Sequence, residues 1–307
     1  MSKGLAWFFG TLALLAALRV SMAFLLVPEA ARLPISLAIT ILFVALPVFA
    51  LFRASSHSWN WRLAVSFIAA GLLLHFALPL ASPGGKGIVP ILLDAVSQQG
   101  LPTWTVGIGA LLALLLKDKN LLLPVSIFLA LFDIFLVFTP VGFVQVLMQK
   151  APNLLPAMAH KIPEVATKPV ETGVPVGTFA HVGPADFLFM GMFFIALHRF
   201  QMRTRATLVW LMIGLAVYIP LAFIVGPVPL MVPIGLTVLL VNLREFKMTT
   251  EEKVSTALVA AIGVAIVVYA ATRPQPIEPV GPSPAEASQG PLGSEGSPEP
   301  TSPDPPP

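Results

Sequence analysis

Runs of about 20 apolar residues recur through the first 273 residues, and they leave little choice of architecture. A helix of that length spans the ~30 Å hydrocarbon core of a bilayer. The runs cover 5–27, 34–52, 63–82, 101–116, 120–145, 184–198, 206–226, 229–243 and 254–272. Their apolarity is continuous, not alternating, which argues for helices over a β-barrel. The expected fold is therefore all-α, a polytopic transmembrane bundle of about nine spans. The fourth and eighth runs are short, and the pattern leaves 88–98 (IVPILLDAVSQ) as an interfacial or re-entrant piece. Only 11% of residues are charged and mean hydropathy is +0.87. A soluble globule, with about 25% charged residues, is excluded.

The remaining composition removes whole classes of chemistry. There is no cysteine, so disulfides, thiolate metal sites and thiol catalysis are out. The pI of 9.3 reflects Lys and Arg at the ends of spans, not a nucleic-acid-binding face. Lys3, an apolar run and Ser21-Met22-Ala23 resemble a signal peptide, but Arg19 interrupts the run, so an uncleaved first span is expected. One set of connections holds Lys3, Arg53, Arg62, Lys117, Lys119, Arg199, Arg203, Arg205, Arg244, Lys247 and Lys253. The opposite set holds Arg32, Lys86, Lys150, Lys161, Lys168 and Arg273. The richer face is expected to be cytoplasmic, as is the N-terminus, in a plasma-membrane protein. The connection 146–183 then faces outward. Its five prolines limit regular helix, and a loop of this length reads as a lid or linker. The tail 274–307 is rich in proline, carries acidic residues and no Lys or Arg, and is expected to be disordered.

Against this background two carboxylates stand out. Of the 15 acidic residues, only Asp133 and Asp186 lie inside the apolar runs, with Asp94 in the unplaced segment. An ionisable group in hydrocarbon costs at least ~2.5–3.5 kcal/mol, so its default reading is functional. Asp133 follows Lys119 by fourteen residues and Asp186 precedes Arg199 by thirteen. At ~1.5 Å per residue both sit roughly 20 Å from the expected cytoplasmic face. Facing one another, they would form a dyad in which one carboxyl keeps a proton while the other takes one from water. That arrangement suits attack of water on a peptide carbonyl.

The flanking residues carry a resemblance. Phe132-Asp133-Ile134-Phe135-Leu136-Val137-Phe138 resembles the Tyr-Asp helix of the intramembrane aspartyl proteases, the presenilins and signal peptide peptidases, and is closer to the latter. Gly183-Pro184-Ala185-Asp186, with the apolar run after it, resembles the second signature, Gly-x-Gly-Asp. Pro229-Leu230-Met231-Val232-Pro233 is a loose counterpart of the Pro-Ala-Leu motif that shapes the family's active site. The resemblance covers roughly 120–243, which it marks as a presenilin-like catalytic core including the outer loop 146–183. Residues 1–119 are then N-terminal spans and 244–273 an additional one. It implies Asp133 and Asp186 as catalytic, with Phe132, Gly183, Ala185, Pro229, Leu230, Met231 and Pro233 as active-site support. Substrates would be transmembrane helices or remnant signal peptides in the lipid bilayer, with no metal, organic cofactor or nucleic acid involved. Phe132 stands where the family has tyrosine and Ala185 where it has glycine.

Other readings of the same residues stay open. Gly183-Pro184 is a good helix start, which would make Asp186 a cap. Asp133 could pair with Arg19 inside the membrane. A catalytically inactive helix-binding relative and a proton-coupled transporter are the alternatives, the second weakened by the lack of an internal repeat. His75 is expected to hydrogen-bond a neighbouring helix, and His160 and His181 lie in the outer loop. Trp59, Trp61 and Trp104 are expected at membrane boundaries. Gln145 could line a cavity, and prolines 220, 227, 229 and 233 should kink or interrupt the late helices.

Overall fold

Every apolar run contains a helix, and three of these helices begin on a side-chain cap. Ser2, Asn60 and Thr249 each set a side-chain oxygen on an amide of the following first turn, a contact worth about 1 kcal/mol. The computed structural model describes residues 2–80, 87–139, 154–167, 177–226 and 228–272. Gln145, Pro227, parts of the connection 146–183 and the tail 274–307 lie outside these residues.

The chain begins with α1 (Lys3–Met22), α2 (Arg32–Ser55) and α3 (Trp61–Leu80), the last containing a π-helical turn at Leu73–Ala77. The unplaced segment becomes a helix, α4 (Ile88–Ser97), and is followed by α5 (Gly100–Leu115) and α6 (Leu122–Phe138). A single turn, α7 (Leu154–Met158), leads into β1 (His160–Pro163) and β2 (Thr178–Val182). Then come α8 (Pro184–Arg199), α9 (Thr204–Val225), α10 (Met231–Asn242) and α11 (Thr250–Ala271).

Six of these helices, α1, α2, α3, α6, α9 and α11, are long and apolar enough to cross a membrane. The expected nine is thus not reached by length. Helices α5 and α8 have 16 residues each and α10 has 12, ~24 Å and ~18 Å of helix. Pro184 and Arg199 bound α8, and the break after Gly226 (φ +100°) delays the start of α10. Pro220 lies inside α9.

The short helix α8 is the core of the bundle. Phe187 and every residue from Met190 to Leu197 are buried. It packs on α5 and α2. A Cβ at Gly109 of α5 would stand 2.6 Å from the Leu188 carbonyl oxygen, so only glycine allows this backbone contact. Helix α9 joins α2 to α10, and α6 packs on α10 and α11. The two aspartate helices, α6 and α8, are therefore bridged mainly by α10, not by broad packing on each other.

The connection 146–183 holds regular structure that the sequence did not announce. Strands β1 and β2 pair antiparallel, with Lys161 opposite His181 and an irregularity at Ile162/Pro163. The Val27 N–H donates to the Ala166 carbonyl at 2.9 Å, tying the α1–α2 link to this hairpin. Arg32 pairs with Glu164 beside it. Arg19 is also drawn here: its Nε donates to Asp94 at 3.1 Å and its Nη1 to the Lys161 carbonyl at 2.5 Å. The expected alternative partner, Asp133, is not used, because α4 brings a nearer carboxylate to the end of α1. Trp59 and Trp104 are buried, leaving Trp61 as the exposed boundary tryptophan of the expected three.

Candidate active site

Asp133 lies in the twelfth position of α6, where its Oδ2 accepts the Met231 N–H at 2.8 Å. Met231 is the first residue of α10, so its amide has no partner within its own helix. The carboxylate thus caps a neighbouring helix 98 residues away. The contact requires α10 to lie close on α6. A Cβ at Gly235 would stand 2.9 Å from the Ser126 carbonyl oxygen, so glycine permits the approach.

Asp186 is the third residue of α8, and its Oδ2 accepts the Gly183 N–H at 3.1 Å. Only half of a capping box forms, since Gly183 has no side chain with which to reciprocate. Ala185 is helical and exposed. Its methyl meets no close helix crossing, and no glycine conformation is required there.

A cavity of 510 Å³ opens between these elements. Its wall includes Asp186, Val137, Tyr218, Leu230, His181 and Thr40. Asp133 sits one turn before Val137 on the same face of α6, drawn back toward Met231. Asp186 and Tyr218 both lie within Coulombic reach of Asp133. The Tyr218 hydroxyl donates to the Pro229 carbonyl at 3.0 Å. Pro229 and Met231 are buried, and Pro233 falls in the first turn of α10, where its missing N–H costs nothing. Asp186 and Leu230 therefore line one cavity, and Asp133 is joined to its wall through Met231, the neighbour of Leu230.

Phe132 departs from this grouping. It is 44% exposed and stacks on Phe128 and Phe135 along the outer face of α6. Tyr218 is the residue that sequence reasoning missed. The available signal was slight: it is one of only two tyrosines, placed inside an apolar run eleven residues before Pro229.

The histidines divide by position. His181 lines the cavity from β2, and burial together with Lys161 lowers its pKa. His160 is fully buried against Phe187, and burial, then the Arg19 charge, pushes it down to about 3. His75 sits in the π-helical turn with both ring nitrogens buried, close to the backbone of Ser97 and Ala157 on neighbouring elements. Its backbone is pressed closely on Gly100, and its ring meets Phe76 edge-on at 4.6 Å between centroids. Among the described residues no group of three or more His, Cys, Asp or Glu could hold a metal ion.

No protein family, curated protein or solved structure matches this chain.

Proposed function

We propose that this protein is an intramembrane aspartyl protease in which Asp133 and Asp186 activate water for attack on a peptide bond. One observation carries the reading: Asp186 lines a cavity beside the proline-flanked start of α10, and Asp133, held on that start by the Met231 N–H, lies within Coulombic reach of it. One carboxyl would take the proton of the attacking water, while the other, protonated, polarises the scissile carbonyl. The Tyr218 hydroxyl, now on the Pro229 carbonyl, stands where it could steady the same oxygen. A substrate helix must unwind to expose its amides, and the hairpin strand β2 at the cavity rim offers an extended partner for the unwound segment. On this reading all nine apolar runs cross the plasma membrane with the N-terminus in the cytoplasm. Substrates are then single spans with a cytoplasmic N-terminus, such as remnant signal peptides.

A second reading has its own observation. Each carboxylate already serves a helix N-terminus, Asp133 on Met231 and Asp186 on Gly183. A relative that binds membrane helices without cutting them would need no more than these caps.

Cleavage of fluorescent transmembrane peptides by the purified protein in bilayers separates the two. Wild type should cleave, Asp133→Asn and Asp186→Asn should not, and an aspartyl-protease transition-state inhibitor should block the activity. Absence of cleavage across the panel, with no saturable inhibitor binding, would leave the helix-binding reading in possession.

A further inference from the structure

We propose that the basic end of the bundle holds a site for the phosphate of an anionic phospholipid, independent of the aspartate cavity and of proteolysis. A second cavity, of 770 Å³, lies between the last turn of α2, the end of α8 and the first turns of α9. Arg53, Arg203, Arg205 and His198 contribute to its wall, and no aspartate or glutamate does. The hydroxyls there are already committed: Ser55 donates to the Phe52 carbonyl, Ser56 to Arg53 and Thr204 to Met202. The Arg53 and Arg205 guanidinium groups are not. Arg203 shares its charge with Glu245 at 3.5 Å, whereas Arg53 and Arg205 make no ion pair among the described residues. Arg53 lies over the Trp7 ring at 5.2 Å, and its Nε is buried with no hydrogen-bond acceptor. A buried cationic donor without an acceptor is costly, and an anion in the cavity would supply one.

The backbone adds to the same field. Helix α9 runs for 22 residues, and its first turn, Thr204 to Ala206, forms part of the cavity wall. The Thr204 N–H already donates to the Met202 carbonyl at 2.8 Å, which leaves the Arg205 and Ala206 amides and the partial positive charge of the helix end to suit a phosphate.

A lipid fits better than a soluble phosphate because of where the cavity lies. Helices α2 and α9 both qualify as membrane spans, and the cavity sits at the ends they share. Trp7 and Trp210, near that level, are 55% and 59% exposed, as interfacial tryptophans are. Below the arginines the wall turns apolar at Phe52, Leu208 and Val209. From Val209 an exposed stripe continues through Ile213 and Val217, one turn apart on one face of α9. It provides an acyl-chain track leading from the head-group site into the hydrocarbon. Basic pockets between spans recognise anionic head groups in this manner.

The test is competition for the full-length protein between phosphatidylglycerol and phosphatidylcholine with matched brominated chains, read by quenching of tryptophan fluorescence. Phosphatidylglycerol should win at a saturable site. Arg205→Gln, an exposed substitution, should reduce the preference about fivefold, and Arg53→Gln with Arg205→Gln roughly thirtyfold. The corresponding double lysine variant should keep most of it and controls for loss of fold. Equal quenching by the two lipids, or an undiminished preference in Arg205→Gln, overturns the proposal. So does displacement of the lipid by millimolar inorganic phosphate, which would assign the site to a soluble anion.

Discussion

Substitutions at Asp133 separate the two jobs open to its carboxylate. Its Oδ2 accepts the Met231 N–H at 2.8 Å, and Met231 is only 3% exposed. Asparagine keeps a carbonyl oxygen at the same reach, so Asp133→Asn retains the cap. What it loses is the attraction between a charge and a helix end, ~0.3–1 kcal/mol. Leucine keeps the bulk but offers no acceptor, stranding the amide at a cost of ~1–3 kcal/mol. Proteolysis responds differently, because both substitutions remove the acid–base group, whose contribution is on the order of 10²–10⁴-fold. Thermal unfolding and peptide cleavage should be measured on the same preparations. The expected pattern is a stable, inactive Asn variant beside a destabilised, equally inactive Leu variant. If Asp133→Asn keeps more than a tenth of wild-type cleavage, or if activity merely tracks stability across the pair, the catalytic role is refuted and the cap is the whole explanation.

Burial holds His160 neutral in the folded protein, with a pKa of about 3 against an ordinary 6.5. The unfolded chain therefore binds the extra proton between those values, so stability is full above about pH 6.5 and is lost as pH falls toward 3. At pH 5 the loss is ~2 kcal/mol. Hydrogen exchange of the β1–β2 amides should quicken accordingly, and a profile in His160→Leu as steep as wild type would refute this. Arg19→Met should cost about 1.5–3 kcal/mol for each charged hydrogen bond lost, at Asp94 and at the Lys161 carbonyl. Adding Asp94→Leu should recover part of that loss, and no recovery would show that the pair itself matters little. A methyl at Gly235 would meet the Ser126 carbonyl at 2.9 Å, whereas one at Gly214 has its nearest neighbour at 4.0 Å. Gly235→Ala should therefore destabilise by ~1–3 kcal/mol and slow cleavage, while Gly214→Ala gains up to ~1 kcal/mol of helix propensity. Identical behaviour of the two in thermal unfolding would sink this account of the α6–α10 contact.

Local signals are legible in the sequence, and distant ones are not. The apolar run 254–272 becomes Thr250–Ala271, its start fixed by the Thr249–Glu252 capping box. The helix start at Gly183-Pro184 and the cap from Asp186 were likewise visible within four residues. The Arg19–Asp94 pair was not, because it depends on how the helix at 88–97 returns to α1. Strands β1 and β2 escaped notice for another reason. They are four and five residues long, one ends in proline, and fourteen residues of sequence separate them. Alternation over so few positions carries almost no signal. Tyr218 shows the general difficulty: helical periodicity says which face a residue takes, but not which other helix that face meets.

The departures from the aspartyl-protease signatures weigh less in space than in sequence. Alanine in place of the second glycine should matter if backbone must approach closely there, yet Ala185 is exposed and helical. Phenylalanine in place of tyrosine before the first aspartate removes a hydroxyl, yet Phe132 stacks on the outer face of α6 and lines no part of the cavity. A hydroxyl reaches that cavity from Tyr218 on α9 instead, through a chain position the signature does not include. The inexact proline motif still delivers a free helix-start amide, Met231 N–H, to Asp133. What an active enzyme would need beyond this arrangement is movement of one carboxylate, since Asp133 is held toward Met231 while Asp186 lines the cavity. A substrate strand that supplies Met231 with another acceptor would free Asp133 to turn inward. Catalysis would then depend on substrate to assemble the dyad, and the resting protein would carry its two carboxylates safely as caps.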